Sequence, residues 1–384
     1  MKTHPSRPNG MTSMPRVGVL GPYPPTRCGL AAFGAGLADG LTALGAEVGV
    51  VQTAADERST APQVIAHLTD GSPASIATCT ALLNQHDVAI IQHDYDSYGG
   101  PDGADVLEVV EALQVPSIIT VHTVLSAPTS RQRSILEALV RVADQVTVMS
   151  DAARRRMGEV YDVDLHKISV VPHGAPTLPK TRPSGRFGRP TMLTWGFLRP
   201  GKGAESVIDV VDSMRDVAGH PRYMVAGRTH PSVLAQEGEA YRESLVARAQ
   251  GAGVANSVVV DGNYRGTAAL TELIQSSAVV VLANDSAEQV TSGVLAGSIA
   301  RGRPVVATAF PHAVELLGTG AGIVVGHDDP DALTAALRQV LTQPRLAGAM
   351  AAEARRLAPS MGWPAVAEAY LNLARRLTAR RSAA

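Results

Sequence analysis

Short, β-branched apolar runs alternate along this chain with longer stretches whose apolar residues recur every three or four positions. Residues 16–20 form the first run and lead into a turn-rich segment that ends at Gly29. Helical spacing follows over residues 30–44, where Leu30, Phe33, Leu37 and Leu41 share one face. Residues 47–52 supply the next strand, so strand, glycine loop, helix and strand make one βαβ unit. Further runs at 88–92, 117–121, 145–149 and 168–171 continue the series, with helical patterns at 104–113 and 131–142 between them. Uninterrupted apolar strands separated by helices predict a doubly wound parallel sheet buried on both faces.

Prolines and glycines break the pattern at 176–190, after which a second βα series begins. Its strands are expected at 191–195, 223–226, 258–261, 279–282, 304–307 and 322–325. The expected organisation is α/β: two Rossmann-like parallel-sheet domains facing across a cleft. A loose polar tail occupies 1–14, the first domain 15–178, a linker 179–190 and the second domain 191–360. The last segment, 361–384, carries a helix over 363–381 that is too long for an end cap and is expected to cross back to the first domain.

With 384 residues, 45% of them hydrophobic and 18% charged, the chain can build two separate cores. A formal net charge of -1 gives no basic field for nucleic acid. Cys28 and Cys79 are too few for a disulfide framework or a zinc site, and no apolar run is long enough to span a bilayer. These features, with no visible secretory signal, place the expected location in the cytoplasm. Residues 373–381 end in arginines and are partly amphipathic, which admits peripheral contact with anionic lipid or simply a solvated helix end.

Candidate chemistry gathers where strands run into loops, the edge at which open α/β sheets bind ligands. Gly196, Gly201 and Lys202 approach the spacing of a phosphate-binding loop, but Gly203 stands where a metal-holding hydroxyl would be. Lys202, one of four lysines with Lys2, Lys167 and Lys180, can neutralise a diphosphate as a point charge or remain a solvated loop residue. Thr291 or Ser292 can cap a helix whose free amides favour an anion, within a stretch that otherwise reads as an ordinary crossover. Arg228 offers a second phosphate contact, and Tyr264 a border for a base. In the first domain Gly29 allows a ligand to approach the backbone, and His122 closes a strand where it can bond a sugar hydroxyl or act as an acid or base. His93, Asp94 and Tyr95 are candidates for the acceptor wall, and His173 either joins them at the cleft or simply caps its turn. A dinucleotide-binding glycine fingerprint is absent, which argues against hydride transfer.

The order of these features (the Gly29 loop, His122, Gly201-Lys202-Gly203 and Gly302-x-Pro304-Val-Val over two βα domains) resembles the retaining GT-B glycosyltransferases of family 4. The resemblance covers nearly the whole chain. It implies a nucleoside diphosphate sugar held by the second domain, a hydroxylic acceptor on the first, His122 against the transferred sugar and Lys202 on the diphosphate. No metal or other cofactor is implied. The family's paired glutamates fall on Gln289 and Gly297, with Glu288 one residue from the first, and Val290 and Thr291 follow in the donor loop. Phe197 stands where the family often has an arginine. These departures leave two further readings open: a sugar-nucleotide-binding or partner protein without turnover, and an epimerase acting on the sugar nucleotide.

Overall fold

A computed structural model describes residues 14–53, 57–177 and 188–383. Seven parallel strands form the first sheet: β1 (Arg16–Gly21), β2 (Glu47–Gln52), β3 (Val64–His67), β4 (Val88–His93), β5 (Ser117–Val121), β6 (Gln145–Val148) and β7 (Ile168–Val170). Their order is β3-β2-β1-β4-β5-β6-β7. Six parallel strands form the second: β8 (Thr191–Trp195), β9 (Arg222–Ala226), β10 (Val258–Asp261), β11 (Val279–Leu282), β12 (Val305–Thr308) and β13 (Gly322–Val325), ordered β10-β9-β8-β11-β12-β13. In each sheet the order reverses beside the first strand, at β1/β4 and at β8/β11. Crevices for ligands open at the carboxyl ends of such switch points.

The expected strands are present, and one more accompanies them. β3 is a four-residue edge strand, Val-Ile-Ala-His, only half covered, and so lacks the apolar run that marks its neighbours. The helix expected over 104–113 is shorter, Val106–Glu111, behind a turn at Pro101–Gly103. Asp102 and Gly103 both take positive φ there, 56° and 73°, and the Asp105 amide bonds back to the Gly99 carbonyl at 3.0 Å. Most of the expected tail and linker, 1–13 and 179–187, lies outside the described residues.

The helix Trp363–Ala383 belongs to the layer on the first sheet. Its Val366, Ala367, Leu371 and Leu377 share a core with Val17, Val19, Phe33 and Leu37. Trp363 fills space that Gly36 and Gly174 leave open, and a Cβ on either glycine would overlap the indole. Tyr370 is 1% exposed, and its hydroxyl lies 2.9 Å from Thr120 Oγ1 and 3.0 Å from Thr147 Oγ1, on β5 and β6. Where this helix leaves the second lobe, the Ala175 amide donates to the Met361 carbonyl at 2.8 Å, and Ala175 bridges Gly362. The two passages of chain between the lobes therefore run side by side.

Candidate active site

The crevice of the second lobe opens between the loop after β8 and the loop after β11. Gly196, Gly201 and Gly203 all have positive φ, 108°, 82° and 68°, a region that disfavours any side chain. At Gly203 a Cβ would also overlap the Ala283 carbonyl oxygen. That contact explains why glycine, and not a hydroxyl residue, follows Lys202. The Asp285 amide donates to the Gly201 carbonyl at 3.1 Å and joins the two loops. Lys202 lines the crevice with Trp195, Phe197, Asn284, Ser292 and Val294. It is half-buried and makes no hydrogen bond or ion pair with a described residue. Burial, with the nearby Arg199 charge, pushes its pKa down to about 8.

Across from Lys202 starts the helix Gly293–Ala300. Ser292 is its cap, accepting from the Leu295 amide at 3.2 Å, while its own amide donates to His312 Nδ1 at 2.9 Å. The first-turn amides of such a helix lack intrahelical acceptors and carry the positive end of its dipole. His312 is buried, and burial holds its pKa near 4, so the ring stays neutral and can accept. Asn284 Nδ2 donates to Gln289 Oε1 at 2.7 Å, which shapes the loop leading to the cap.

The indole of Trp195 lies against Gly297, where an added Cβ would come within 3.1 Å of two ring carbons. Its Nε1 donates to Ser298 Oγ at 3.0 Å. On the other side, Arg301 Nη1 donates to the Gly297 carbonyl at 2.8 Å and Nε to Thr271 Oγ1 at 3.1 Å. Arg301 is 3% exposed, and burial lowers its pKa to about 10. Gly297 thus sits beneath an aromatic ring and presents no group of its own to the crevice.

The first lobe brings His122, His173 and Trp363 around one ring, Phe33, at centroid distances of 4.9, 5.3 and 5.3 Å. His122 Nε2 is buried without a partner. Burial, reinforced by His173 and His93, holds the His122 pKa near 3, so the ring is neutral at working pH. His173 Nδ1 lies 2.9 Å from the Gly174 carbonyl, and its Nε2 would meet a Cβ on Gly293 at 2.8 Å, so it touches the helix start of the other lobe. Gly29 begins the helix Gly29–Ala43 with open space where its Cβ would be, and Cys28 Sγ caps that helix.

His93 and Tyr95 differ from their expected place on an open wall. β4 extends to His93, whose ring is 0% exposed with both nitrogens unpartnered. Tyr95 is also buried, and its hydroxyl donates to the Gln132 carbonyl at 3.4 Å. Asp94, between them, stays half-buried and accepts from Thr123 Oγ1 at 2.7 Å. Burial raises the Asp94 pKa.

Several residues expected at the donor join the lobes. Glu288 pairs with Arg156 of the first lobe at 3.4 Å, and Arg156 also donates to the Glu288 carbonyl. Val290 is buried within the first lobe's core, and its carbonyl accepts from Ser150 Oγ. Glu315 accepts from the Asp151 and Ala152 amides at 3.0 and 2.7 Å, at a helix start of the first lobe. Tyr264 is 61% exposed, with the Arg27 guanidinium 5.3 Å from its ring centre. Arg228 is half-buried on the loop after β9, near Glu239, whose pKa its charge helps to lower. Trp195, Arg156 and Arg27 were not singled out by sequence, whereas Ser292 was, as one of two candidate caps. The signal for Trp195 was its place directly before Gly196, as one of two tryptophans. Among the described residues no group of three or more His, Cys, Asp or Glu side chains is placed to hold a metal, and no helix is long and apolar enough to cross a membrane.

Residues 29–177 match the family described as Glycosyltransferase Family 4, and residues 189–343 match Glycosyl transferases group 1. The D-inositol 3-phosphate glycosyltransferase of Kineococcus radiotolerans is 28% identical over 304 residues, 70% of this chain and 68% of the relative. Among solved structures, Anabaena Alr3699/HepE in complex with UDP and glucose superposes with a TM-score of 0.73 at 14% identity, covering 94% of this chain and 100% of that one. Sucrose-phosphate synthase from Thermosynechococcus elongatus gives 0.71 at 16% identity, covering 95% and 99%. Both likenesses establish a shared two-lobed GT-B fold.

Proposed function

The chain belongs to the family 4, group 1 glycosyltransferases, and from that premise we propose that it moves a sugar from a nucleoside diphosphate sugar to a hydroxylic acceptor with retention of anomeric configuration. The observation that carries the reading is Lys202: a half-buried cation with no hydrogen-bond or ion-pair partner among the described residues, lining the same crevice as the start of the helix Gly293–Ala300. A cation in that position without a partner among the described residues suits a diphosphate. As the glycosidic bond breaks, charge builds on the leaving diphosphate, and the lysine and first-turn amides stabilise that state more than the ground state. His122, neutral and with an unpartnered buried Nε2, orients a hydroxyl of the transferred sugar. Asp94 and the open ground before Gly29 face the acceptor. Neighbours whose structures contain UDP and UDP-glucose support a sugar nucleotide as the donor.

The test is product formation from a panel of nucleoside diphosphate sugars and small or lipid-linked hydroxylic acceptors, with the product anomer read by NMR. Inversion would remove the retaining assignment, and isomerised donor without acceptor would favour an epimerase. Tight donor binding without product would favour a partner protein, a reading motivated by Glu288 being tied to Arg156 and Gly297 lying under an indole.

Lys202 also predicts a pH profile. Its free-state pKa of about 8 means the cation is fully present below that pH and lost above it. Diphosphate affinity is therefore expected to be flat from pH 6 to 7.5 and to fall above pH 8, by up to about tenfold per unit, until the bound-state pKa is reached. Calorimetry across this range checks it, and Lys202→Arg, charged throughout, should flatten the profile.

A further inference from the structure

None of the residues that line the crevice is an aspartate or glutamate. A vicinal ribose diol is commonly read by a carboxylate at this edge of a parallel sheet, accepting from its hydroxyls. Here Glu288 is engaged with Arg156, and the helix face one turn beyond the cap carries Gly297 under the Trp195 ring. Trp195 is held in place: Nε1 donates to Ser298 Oγ, which in turn donates to the Val294 carbonyl at 2.7 Å. Beneath Gly297 the neighbouring charge is positive, from Arg301, and its hydrogens are committed in part to Gly297 and Thr271. The wall thus offers an aromatic face where a carboxylate would stand, beside the neutral polar side chains of Asn284 and Ser292. Aromatic faces stack on nucleosides with little regard to the 2′ position, whereas a wall built around a hydroxyl rejects the analogue that lacks it.

Resting on the donor crevice proposed above, we propose that Trp195 contacts the nucleoside of the donor through its ring and leaves the 2′-hydroxyl unread, so that the crevice takes ribo- and 2′-deoxyribonucleoside diphosphates alike. Gly297 is what makes room for the indole; a side chain there would displace it.

Calorimetry of the full chain with UDP and with 2′-deoxy-UDP tests this directly. Dissociation constants within about threefold of each other are expected, and a preference for the ribonucleotide of tenfold or more would overturn the proposal. Absence of binding by both, and by the ribo- and deoxyribonucleoside diphosphates of the other bases, would instead remove the diphosphate crevice on which it rests. Trp195→Leu should weaken both nucleotides by a similar factor, about tenfold, without changing their ratio; weakening of one alone overturns it. In Trp363→Phe, Trp195 is the remaining tryptophan, and its emission should change on saturation with either nucleotide. Unchanged emission with bound nucleotide would place the ring elsewhere and sink the proposal.

Discussion

Replacing Lys202 by alanine is expected to lower donor affinity by about ten- to a hundredfold, and kcat/KM at least as much. The range follows from the roughly 1.5–3 kcal/mol that a hydrogen bond to a charged group contributes. The loss in kcat should exceed the loss in binding if the cation acts mainly on the leaving group, because charge on the diphosphate is larger in the transition state. Folding should not suffer, since Lys202 has no partner among the described residues to lose and its burial disfavours the charged form. Lys202→Arg should recover part of the activity, limited by the shape of a planar guanidinium between Gly201 and Gly203. Full turnover with unchanged donor affinity in the alanine variant would remove Lys202 from the mechanism. Circular dichroism and a denaturation midpoint accompany the kinetics to separate chemistry from folding.

The second large effect is on stability. Tyr370→Ala is expected to destabilise the first lobe by about 3–5 kcal/mol, the range for emptying the site of a large buried aromatic. Tyr370→Phe keeps the ring and should cost about 1–3 kcal/mol, because Thr120 and Thr147 lose a buried partner for their hydroxyls. Urea titration followed by circular dichroism measures both. A loss below 1 kcal/mol in the alanine variant would mean that the final helix is not part of the first lobe's core.

The architecture was readable from the chain because its strands are unbroken β-branched runs, the mark of strands covered on both faces. β3 escaped for the same reason in reverse: four residues at an edge, half exposed, bear no such run. At the site, the glycines around Lys202 and the capping serine were legible because turn and cap chemistry is local. The orientation of His93 and Tyr95 was not. A residue one step beyond an expected strand faces either core or cleft, and here β4 continues through His93 and buries it. The inter-lobe contacts of Glu288 and Val290 were not legible, because their partners, Arg156 and Ser150, lie more than a hundred residues away in the other lobe. The seating of Trp195 on Gly297 is likewise a meeting of distant segments. Each residue alone looked like a departure from a pattern; together they are one packed unit.

The paired passages at Ala175 and Gly362 restrict how the lobes can reorient. Because the passages are joined by the Ala175–Met361 hydrogen bond, a swing of one lobe is expected to pivot close to that seam. Separation then grows with distance from the seam, so contacts on its far side part first and re-form last. Exchange of bound molecules is then expected at that outer rim, with the groups beside the pivot moving least.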